Sequence, residues 1–302
     1  CHMSLTPPSS RAPAADQPTA ASSSARAALT YPDRPGGLPP QSASAEGRAI
    51  FTDAYAVIPR DVRRDITTSF LPGWQATRMW VLARPMTGFS ETFSHYLVET
   101  TAGGGSDTPE NDASAEAVIF VTGGTLRLTI DGTAHDMVAG GYAFVPAGAA
   151  WSLHATGSTP AVWHWIRKRY VPAEGVSAPD SFVTSDADAS PIPMPDCAGL
   201  WATTPFVDPA DMRHDMHVNI VTFQPGGCIP FAETHVMEHG LFILQGTGDY
   251  LLNTSWVEVA AGDFLWLRAF CPQACTATGS EPFRYLLYKD VNRHMPLSPG
   301  GL

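Results

Sequence analysis

The chain repeats one spacing of glycines and polar residues, once in each half. In the second half, the repeated positions are Gly227, Glu233, His235, His239 and Gly246. In the first half, the same intervals separate Gly104, Glu110, Asp112, Glu116 and Gly123. A second interval, from Gly262 to Gln273, recurs between Gly140 and Trp151. A duplicated spacing of this length predicts two similarly folded domains in one chain.

Short apolar runs separated by glycine-bearing turns predict β-strands in both halves of the chain. These runs form two series, one within residues 46–170 and one within residues 201–302. The sequence contains 26 glycines and 27 prolines and shows no long helical periodicity. We therefore expect an all-β fold with few, short helices, and two copies of one small β-barrel explain the repeat most simply.

Two segments are expected to lie outside the barrels. Residues 1–45 begin with Cys1-His2-Met3, which has the character of a cloning remnant, and continue with mainly Ala, Ser, Pro and Thr. Such a segment buries too little apolar surface to become ordered, so a disordered tail is predicted. Residues 171–200 are rich in proline and predict a linker between a barrel at 46–170 and a barrel at 201–302.

Composition limits the partners that the chain can bind. A net charge of -11 without a block of lysines and arginines argues against nucleic acid or an anionic membrane surface, because both need a basic footprint. No apolar run reaches the roughly 18 residues of a membrane span, and no secretion signal is recognised, so we expect a cytoplasmic protein with a small-molecule partner. Five scattered cysteines without CxxC spacing predict reduced thiols.

The segment 227–240 gathers three potential metal ligands between a glycine turn and an apolar run. Because side chains alternate along a strand, Glu233 and His235 are expected on one face, where both can enter a barrel lumen. His239 can join them there. This segment predicts half of a metal site, which another part of the chain must complete.

A different metal-site pattern overlaps the same segment. Residues 235–239 spell H-x-x-E-H, a zinc-site pattern that requires a helix, but Gly240 and the strand-like run 241–244 argue against one. Glu238 alternates away from His239 and is expected at the rim or behind the ligands. Four further histidines lie in strand patterns without ligand spacing and are expected to be hydrogen-bonded structural residues: His95, His154, His164 and His217.

These spacings resemble the paired cupin motifs, in which a glycine, an HxH pair, a glutamate and a glycine are followed by a later histidine. In the second half, the matching ligand positions hold Glu233, His235, His239 and Gln273. This altered set resembles that of the bicupin (S)-ureidoglycine aminohydrolases, and three stretches support the same family: 168–175, 233–240 and 285–293. The resemblance covers residues from about 50 to 295 and implies two tandem double-stranded β-helix, or jelly-roll, barrels.

The resemblance implies roles for residues of the second barrel. The implied metal ligands are Glu233, His235, His239 and Gln273, a mixed nitrogen and oxygen set that suits Mn²⁺, with iron, nickel and zinc left open. The implied substrate-binding residues are Glu233, Tyr250, Gln273, Tyr285 and Lys289, and Lys289 and Tyr285 are the implied catalytic residues. In the first barrel no imidazole occupies the matching positions, Glu110, Asp112, Glu116 and Trp151, so we expect a barrel without a metal site, with weak cation binding as the alternative.

The resemblance implies a metal-dependent hydrolase acting on carbon–nitrogen bonds of linear amidines. It would convert (S)-ureidoglycine to (S)-ureidoglycolate and ammonia in allantoin and purine breakdown. Two alternatives remain: a cupin dioxygenase acting on a small acidic metabolite, and a bicupin that binds a ligand without turning it over. Three-histidine sites are more familiar in dioxygenases, so Glu233 and Gln273 weigh against the first. We also expect a homo-oligomer, since sheet edges must be covered.

Overall fold

The computed structural model describes residues 29–32, 49–63, 70–85 and 88–290. Most of the predicted tail and the C-terminal residues 291–302 lie outside this described part. Within it the chain forms twenty strands and one short 3₁₀ turn at Arg60–Val62, which confirms the prediction of an all-β fold. The described part contains no helix that is long and apolar enough to cross a bilayer.

The strands are numbered in chain order. The first ten are β1 (Ile50–Phe51), β2 (Tyr55–Ile58), β3 (Gln75–Ala83), β4 (Phe93–Ser106), β5 (Ala115–Gly123), β6 (Thr125–Ile130), β7 (Thr133–Val138), β8 (Gly141–Val145), β9 (Trp151–Ala155) and β10 (Ala161–Arg169). The others are β11 (Phe182–Ser185), β12 (Ile192–Pro193), β13 (Trp201–Thr204), β14 (Met216–Phe223), β15 (His239–Gln245), β16 (Thr247–Leu252), β17 (Ser255–Ala260), β18 (Phe264–Leu267), β19 (Gln273–Ala277) and β20 (Phe283–Asp290).

The strands form two barrels of similar design, as the resemblance implied. In the N-terminal barrel one nine-stranded sheet curls round in the order β11-β8-β5-β10-β4-β9-β6-β7, with β3 also paired to β4. In the C-terminal barrel an eight-stranded sheet runs β1-β2-β18-β15-β20-β14-β13-β12 and faces a three-stranded sheet, β17-β16-β19. Isolated bridges from Cys228 to Thr276 and from Glu233 to Gln273 help to close this second barrel.

The two barrels pack back to back through a shared apolar layer. One cluster of buried residues takes members from both barrels, including Val118 and Phe120 from one and Phe242 and Phe264 from the other. The rings of Phe93 and Tyr288 stack across this layer with centroids 3.9 Å apart. Alternate residues of the same strands fill the lumens instead, as Leu241 and Ile243 do in β15.

Two of the predicted structural histidines lie in this layer as a hydrogen-bonded pair. The Nε2 atom of His95 lies 2.9 Å from Nδ1 of His164. Burial lowers the pKa of His95 to about 3, with a smaller contribution from the Arg63 cation. Burial also holds the pKa of His164 well below its ordinary value. Both rings are therefore neutral at neutral pH, as expected of structural histidines.

Strand pairing differs from the predicted division of the chain. Strand β2, within the segment assigned to the first barrel, pairs with β18 of the second. Strand β11, within the predicted linker, pairs with β8 of the first barrel. Tyr31, assigned to the tail, donates a 2.5 Å hydrogen bond to Asp186 and packs edge-on against Phe120. These short segments cover sheet edges, which would otherwise expose unpaired backbone groups.

The strand registers correct the repeat by one residue. Lys289 pairs with His239 in the second barrel, whereas Arg167 pairs with Ala117 in the first. The spacing matched Glu116 with His239, but the registers show that Glu116 does not occupy that position. Its counterpart is Glu238, and both carboxylates belong to the buried polar residues of the protein.

The glycines at the end of β5 and β15 show the same shift. Gly246 and Gly124 both have positive φ, 76° and 69°. A Cβ added at Gly246 would lie 2.5 Å from the carbonyl oxygen of Pro282, and one at Gly124 would lie 2.6 Å from that of Pro160. Gly124, and not Gly123, is therefore the counterpart of Gly246, because both turns need the same conformation and the same close approach.

A buried ion pair joins the end of the first barrel to the start of the second. Lys168 Nζ lies 2.5 Å from Asp215 Oδ2, and the two side chains are 5% and 0% exposed. The same oxygen accepts a 2.7 Å hydrogen bond from the backbone N–H of Val171. Removing one member of such a pair leaves a buried charge without compensation.

We predict that Lys168→Met lowers the free energy of unfolding by about 3–5 kcal/mol, measured by urea denaturation. Replacing both members, as Lys168→Met with Asp215→Leu, should recover much of this loss because no buried charge remains. The control is Arg127→Met, since Arg127 and Asp136 form an ion pair that is half exposed. A loss no larger than that of the control would contradict a stabilising role for the buried pair.

Candidate active site

A cavity of about 180 Å³ opens into the lumen of the C-terminal barrel. It lies between the two sheets of that barrel. Every residue that the resemblance implied for the site lines it: Glu233, His235, His239, Tyr250, Gln273, Tyr285 and Lys289. The remaining wall is mainly apolar and includes Val221, Ile229 and Leu287. The predicted residues, scattered over some fifty-seven positions of sequence, are thus brought to one place.

Three neighbouring strands place side chains in rows across the larger sheet. His239, Lys289 and His217 are partners across β15, β20 and β14, so they form one row. The next row toward the barrel interior contains Leu287 and Asn219. Side chains two residues apart share a face of a strand, so both rows point into the lumen.

The opposite side of the cavity is built by a short bridge between Glu233 and Gln273. Each backbone N–H donates to the carbonyl of the other at 2.9 Å. Glu233 Oε1 lies 3.2 Å from His235 Nε2. The rings of His235 and His239 have centroids 5.0 Å apart. The bridge therefore brings one carboxylate, one amide and two imidazoles into a single cavity.

These donors are close together but are not arranged round one point. Among the described residues, no group of three or more His, Cys, Asp and Glu side chains is positioned to hold a metal ion. His235 instead faces Glu233 as a pair. The chemical types nonetheless suit a divalent transition metal, because imidazole, carboxylate and amide oxygen are all accepted ligands.

His239 has the protonation and tautomer that a metal ligand requires. Its Nδ1–H donates to the carbonyl oxygen of Glu238 at 3.0 Å, which leaves the lone pair on Nε2. Burial, with a smaller contribution from the neighbouring His235, lowers the pKa of His239 to about 3. A neutral imidazole whose second nitrogen is fixed by a carbonyl is typical of histidines that bind metals.

Glu238 points away from the cavity, as the alternation predicted. Its carboxylate accepts hydrogen bonds from the backbone N–H groups of Glu91 and Thr92 at 2.7 and 2.9 Å. It also accepts from Thr92 Oγ1 and from Trp266 Nε1, both at 2.6 Å. Glu238 thus ties the first barrel to the strand that carries His239. Since β15 begins at His239 and is extended, the helical zinc-site alternative fails.

A buried tyrosine, Tyr250, holds Gln273 and packs against a second one, Tyr285. Tyr250 donates a 2.9 Å hydrogen bond to Gln273 Oε1, and its ring lies edge-on to Tyr285 with centroids 6.1 Å apart. Burial raises the pKa of both phenols well above the ordinary value, so each keeps its proton. Tyr250 therefore fixes the orientation of the Gln273 amide, which the sequence did not reveal.

Lys289 supplies a cation that no described carboxylate neutralises. It lines both the main cavity and an adjoining one of about 150 Å³. Ion pairs within 4.0 Å join other basic residues to acidic ones in the described part of the chain, but none involves Lys289. Burial lowers the pKa of Lys289, because a charge is costly to hold without full solvation. An anionic ligand would relieve that cost.

Comparison with known proteins places this arrangement in a family. A model of the cupin domain matches residues 97–167 and 219–288. The (S)-ureidoglycine aminohydrolase of Arabidopsis thaliana is 32% identical over 248 residues, covering 82% of this chain and 79% of that protein. The (S)-ureidoglycine aminohydrolase of Escherichia coli (strain K12) is 29% identical over 235 residues, covering 77% and 87%. This chain belongs to the (S)-ureidoglycine aminohydrolase family.

A solved structure agrees with this assignment. The crystal structure of a protein from Pseudomonas aeruginosa, described as glyoxylate-induced, is 59% identical to this chain. It superposes with a TM-score of 0.82 and covers 89% of this chain and 98% of that one. The bicupin architecture is therefore shared with a solved structure of high sequence identity.

In this member of the aminohydrolase family, the first barrel also has a cavity, of about 210 Å³, but its lining includes Glu110, Asp112 and Trp151 and no imidazole or basic side chain. Arg167, the counterpart of Lys289, makes a two-pronged pair with Glu110 at 2.7 and 2.6 Å. Trp165 lies two residues before Arg167, as Leu287 lies two residues before Lys289. Its ring packs against that of Trp151 with centroids 5.7 Å apart. The charge of Arg167 is thus neutralised internally, and an indole ring stands where the second barrel has Leu287.

Two polar residues of β14 were missed as site residues. Asn219 Oδ1 and His217 Nδ1 are buried and have no hydrogen-bond partner in the described structure. An unpaired buried amide oxygen costs about 1–3 kcal/mol. The expectation that His217 is a hydrogen-bonded structural residue is therefore wrong at this nitrogen. The alternation of polar His217 and Asn219 with apolar neighbours was the signal that could have identified them.

We predict that Leu287→Trp closes the cavity while the barrel still folds, because Trp165 fills the matching position of the first barrel. Overpacking should lower the free energy of unfolding by about 1–3 kcal/mol. Ammonia release from (S)-ureidoglycine, the compound named in the activity of the relatives, should fall at least about 100-fold. Val138→Trp, at a position 55% exposed in the first barrel, is the control. Unchanged ammonia release in Leu287→Trp would show that this cavity is not the reaction site.

Proposed function

We propose that the protein hydrolyses (S)-ureidoglycine to (S)-ureidoglycolate and ammonia, in the breakdown of purines through allantoin, with a metal ion as cofactor. The observation that carries this proposal is the convergence of Glu233, His239, Gln273 and Lys289 on one cavity in a member of this family. The cavity volume of about 180 Å³ suits a small polar metabolite. In the described part of the first barrel, the matching cation, Arg167, is paired with Glu110.

The metal is proposed to be Mn²⁺, held by Glu233, His235, His239 and Gln273. Two imidazole nitrogens, one carboxylate and one amide oxygen form a set without thiolate, which suits a metal of intermediate hardness. When bound, such an ion supplies Lewis acidity toward the substrate. The neutral state of His239 and its Nδ1–H bond to Glu238 support this assignment, because its Nε2 lone pair is available.

Lys289 is proposed to bind the substrate carboxylate. An unneutralised, half-buried ammonium attracts a carboxylate more strongly than an exposed one does, because the effective dielectric constant falls with burial. It also answers the objection that a chain with a net charge of -11 should repel an anion. Tyr285, whose phenol stays protonated, is proposed to contact the substrate from the position of β20 that lies beyond Leu287 on the same face.

The reaction exchanges an amine for a hydroxyl on one carbon. The carbon–nitrogen bond to the amino group breaks, a water oxygen bonds to the same carbon, and one proton of that water leaves with the nitrogen as ammonia. The balanced outcome is one ureidoglycolate and one ammonia for each water consumed. Lys289 is proposed to hold the carboxylate during this exchange; the alternative is that it supplies the proton to the departing nitrogen.

The other expectations about partners stay predictions. These are the homo-oligomeric state, the cytoplasmic location and the absence of nucleic acid and membrane partners. The dioxygenase and the non-catalytic binding protein gain no specific support from the geometry.

We predict that the metal-loaded protein releases ammonia from (S)-ureidoglycine and that Glu233→Ala does not. Glu233 is both a proposed ligand and a wall of the cavity, so its loss should reduce turnover to background. Asp112→Ala, an exposed site in the first barrel, serves as the matched control and should retain full activity. Ammonia would be measured by a coupled assay, with metal content measured in the same samples. Equal activity of Glu233→Ala and wild type would refute the proposal.

We predict that Lys289→Met lowers kcat/KM for (S)-ureidoglycine at least about 100-fold, because the substrate carboxylate loses its partner. Metal content should remain that of the wild type, since Lys289 is not a proposed ligand. Arg127→Met, which removes an exposed cation, controls for the change in net charge. If Lys289→Met turned over normally, the proposed carboxylate contact would be wrong even though the hydrolase function could stand.

A further inference from the structure

Asn219 carries a buried polar atom inside an otherwise apolar part of the cavity wall. The residue is 4% exposed, and its Oδ1 has no hydrogen bond among the described residues. Among the described residues that line the main cavity, Asn219 is the one whose side chain has a buried polar atom without a hydrogen-bond partner. Its neighbours there are Val221 and Leu287, neither of which can satisfy an amide. Buried polar atoms are nearly always paired, so this exception points to a ligand.

We propose that Asn219 is the residue that recognises the ureido group of the substrate, an inference that rests on the proposed function. A side-chain amide and a ureido group each present an N–H donor and a carbonyl acceptor in one plane, so they are complementary. Asn219 Oδ1 accepts a hydrogen bond from a ureido N–H, and its Nδ2–H donates to the ureido carbonyl. Asn219 is thus a specificity-determining residue for ureido acids.

The position of Asn219 relative to Lys289 fits the dimensions of such a ligand. Lys289 pairs with His217, and Asn219 lies two residues further along the same face of β14, so the two side chains are diagonal neighbours. In ureidoglycine, three bonds separate the carboxylate carbon from the ureido carbon. A substrate whose carboxylate meets Lys289 therefore directs its ureido group toward Asn219.

This placement also orients the third substituent. With the carboxylate and the ureido group held by the larger sheet, the amino group of the substrate is directed across the cavity. That side is formed by Glu233 and Gln273, joined by their backbone bridge. Three different contacts on three substituents of one carbon are the requirement for distinguishing its two enantiomers. Asn219 supplies one of the three.

The test uses two stable carboxylates and the full, metal-loaded chain. N-carbamoylglycine has the carboxylate and the ureido group of the substrate but no amine, and N-acetylglycine replaces the terminal NH₂ by a methyl group. Isothermal titration calorimetry would measure the dissociation constant of each. We expect wild type to bind N-carbamoylglycine at least about tenfold more tightly, because a site built for a hydrogen bond rejects the analogue that lacks it.

Asn219→Leu should remove this preference by weakening N-carbamoylglycine alone, leaving the two dissociation constants within about threefold of each other. Asn111→Leu, the same exchange at an exposed position of the first barrel, should keep the preference. Asn219→Ser, whose hydroxyl is too short to reproduce the amide pair, decides the question if the leucine variant does not fold.

Two outcomes would overturn the proposal: equal binding of both compounds by wild type, or an equal loss of both in the Asn219 variants, which would indicate a structural role. The experiment also separates this inference from the function on which it rests. A preference for N-carbamoylglycine without ammonia release from (S)-ureidoglycine would refute the proposed reaction and retain ureido recognition. Ammonia release without the preference would refute the role of Asn219 alone.

Discussion

The apolar layer between the two barrels determines which side chains reach each lumen. Strands of both barrels bury alternate residues in this layer, such as Phe120 and Phe242. The residues between them must then face inward, because the side-chain period of a strand is two. A slip of one residue would send His239 into the layer and Glu238 into the lumen. The hydrogen bonds that the Glu238 carboxylate accepts from the backbone of residues 91 and 92 oppose such a slip.

The same framework carries two lumens with opposite properties. In the first, Arg167 is neutralised by Glu110, and the rings of Trp151, Trp163 and Trp165 occupy the interior. In the second, Leu287 replaces an indole, and Lys289 has no described carboxylate partner. The exchange of a few lumen residues thus changes the cavity from one lined by carboxylates and an indole to one lined by two imidazoles and a cation.

Much of this could be predicted from the sequence, because the strands are short, alternating and separated by glycine turns. The spacing from Glu233 to His239 and the later Gln273 identified residues that share the cavity. The repeat failed by one residue at Glu116, since a spacing in the sequence does not show which residues of two strands hold equivalent positions in their sheets. The pairing of β2 with β18 was also missed, because the sequence of a four-residue strand does not indicate which strand it pairs with.

The buried partners of the site were beyond prediction for a related reason. Nothing in the sequence indicates that Tyr250 donates to Gln273, or that Glu238 holds Thr92. Both contacts join segments that are separate in the chain.

The electrostatic potential in the cavity also depends on residues that are distant in the sequence. The chain has two lysines, and Lys168 is neutralised by Asp215. Surface charge is screened beyond about 8–10 Å at ordinary salt, so the net charge of -11 hardly reaches the cavity. In the described part of the chain no carboxylate pairs with Lys289, so its charge is the one that we expect to attract an anion there.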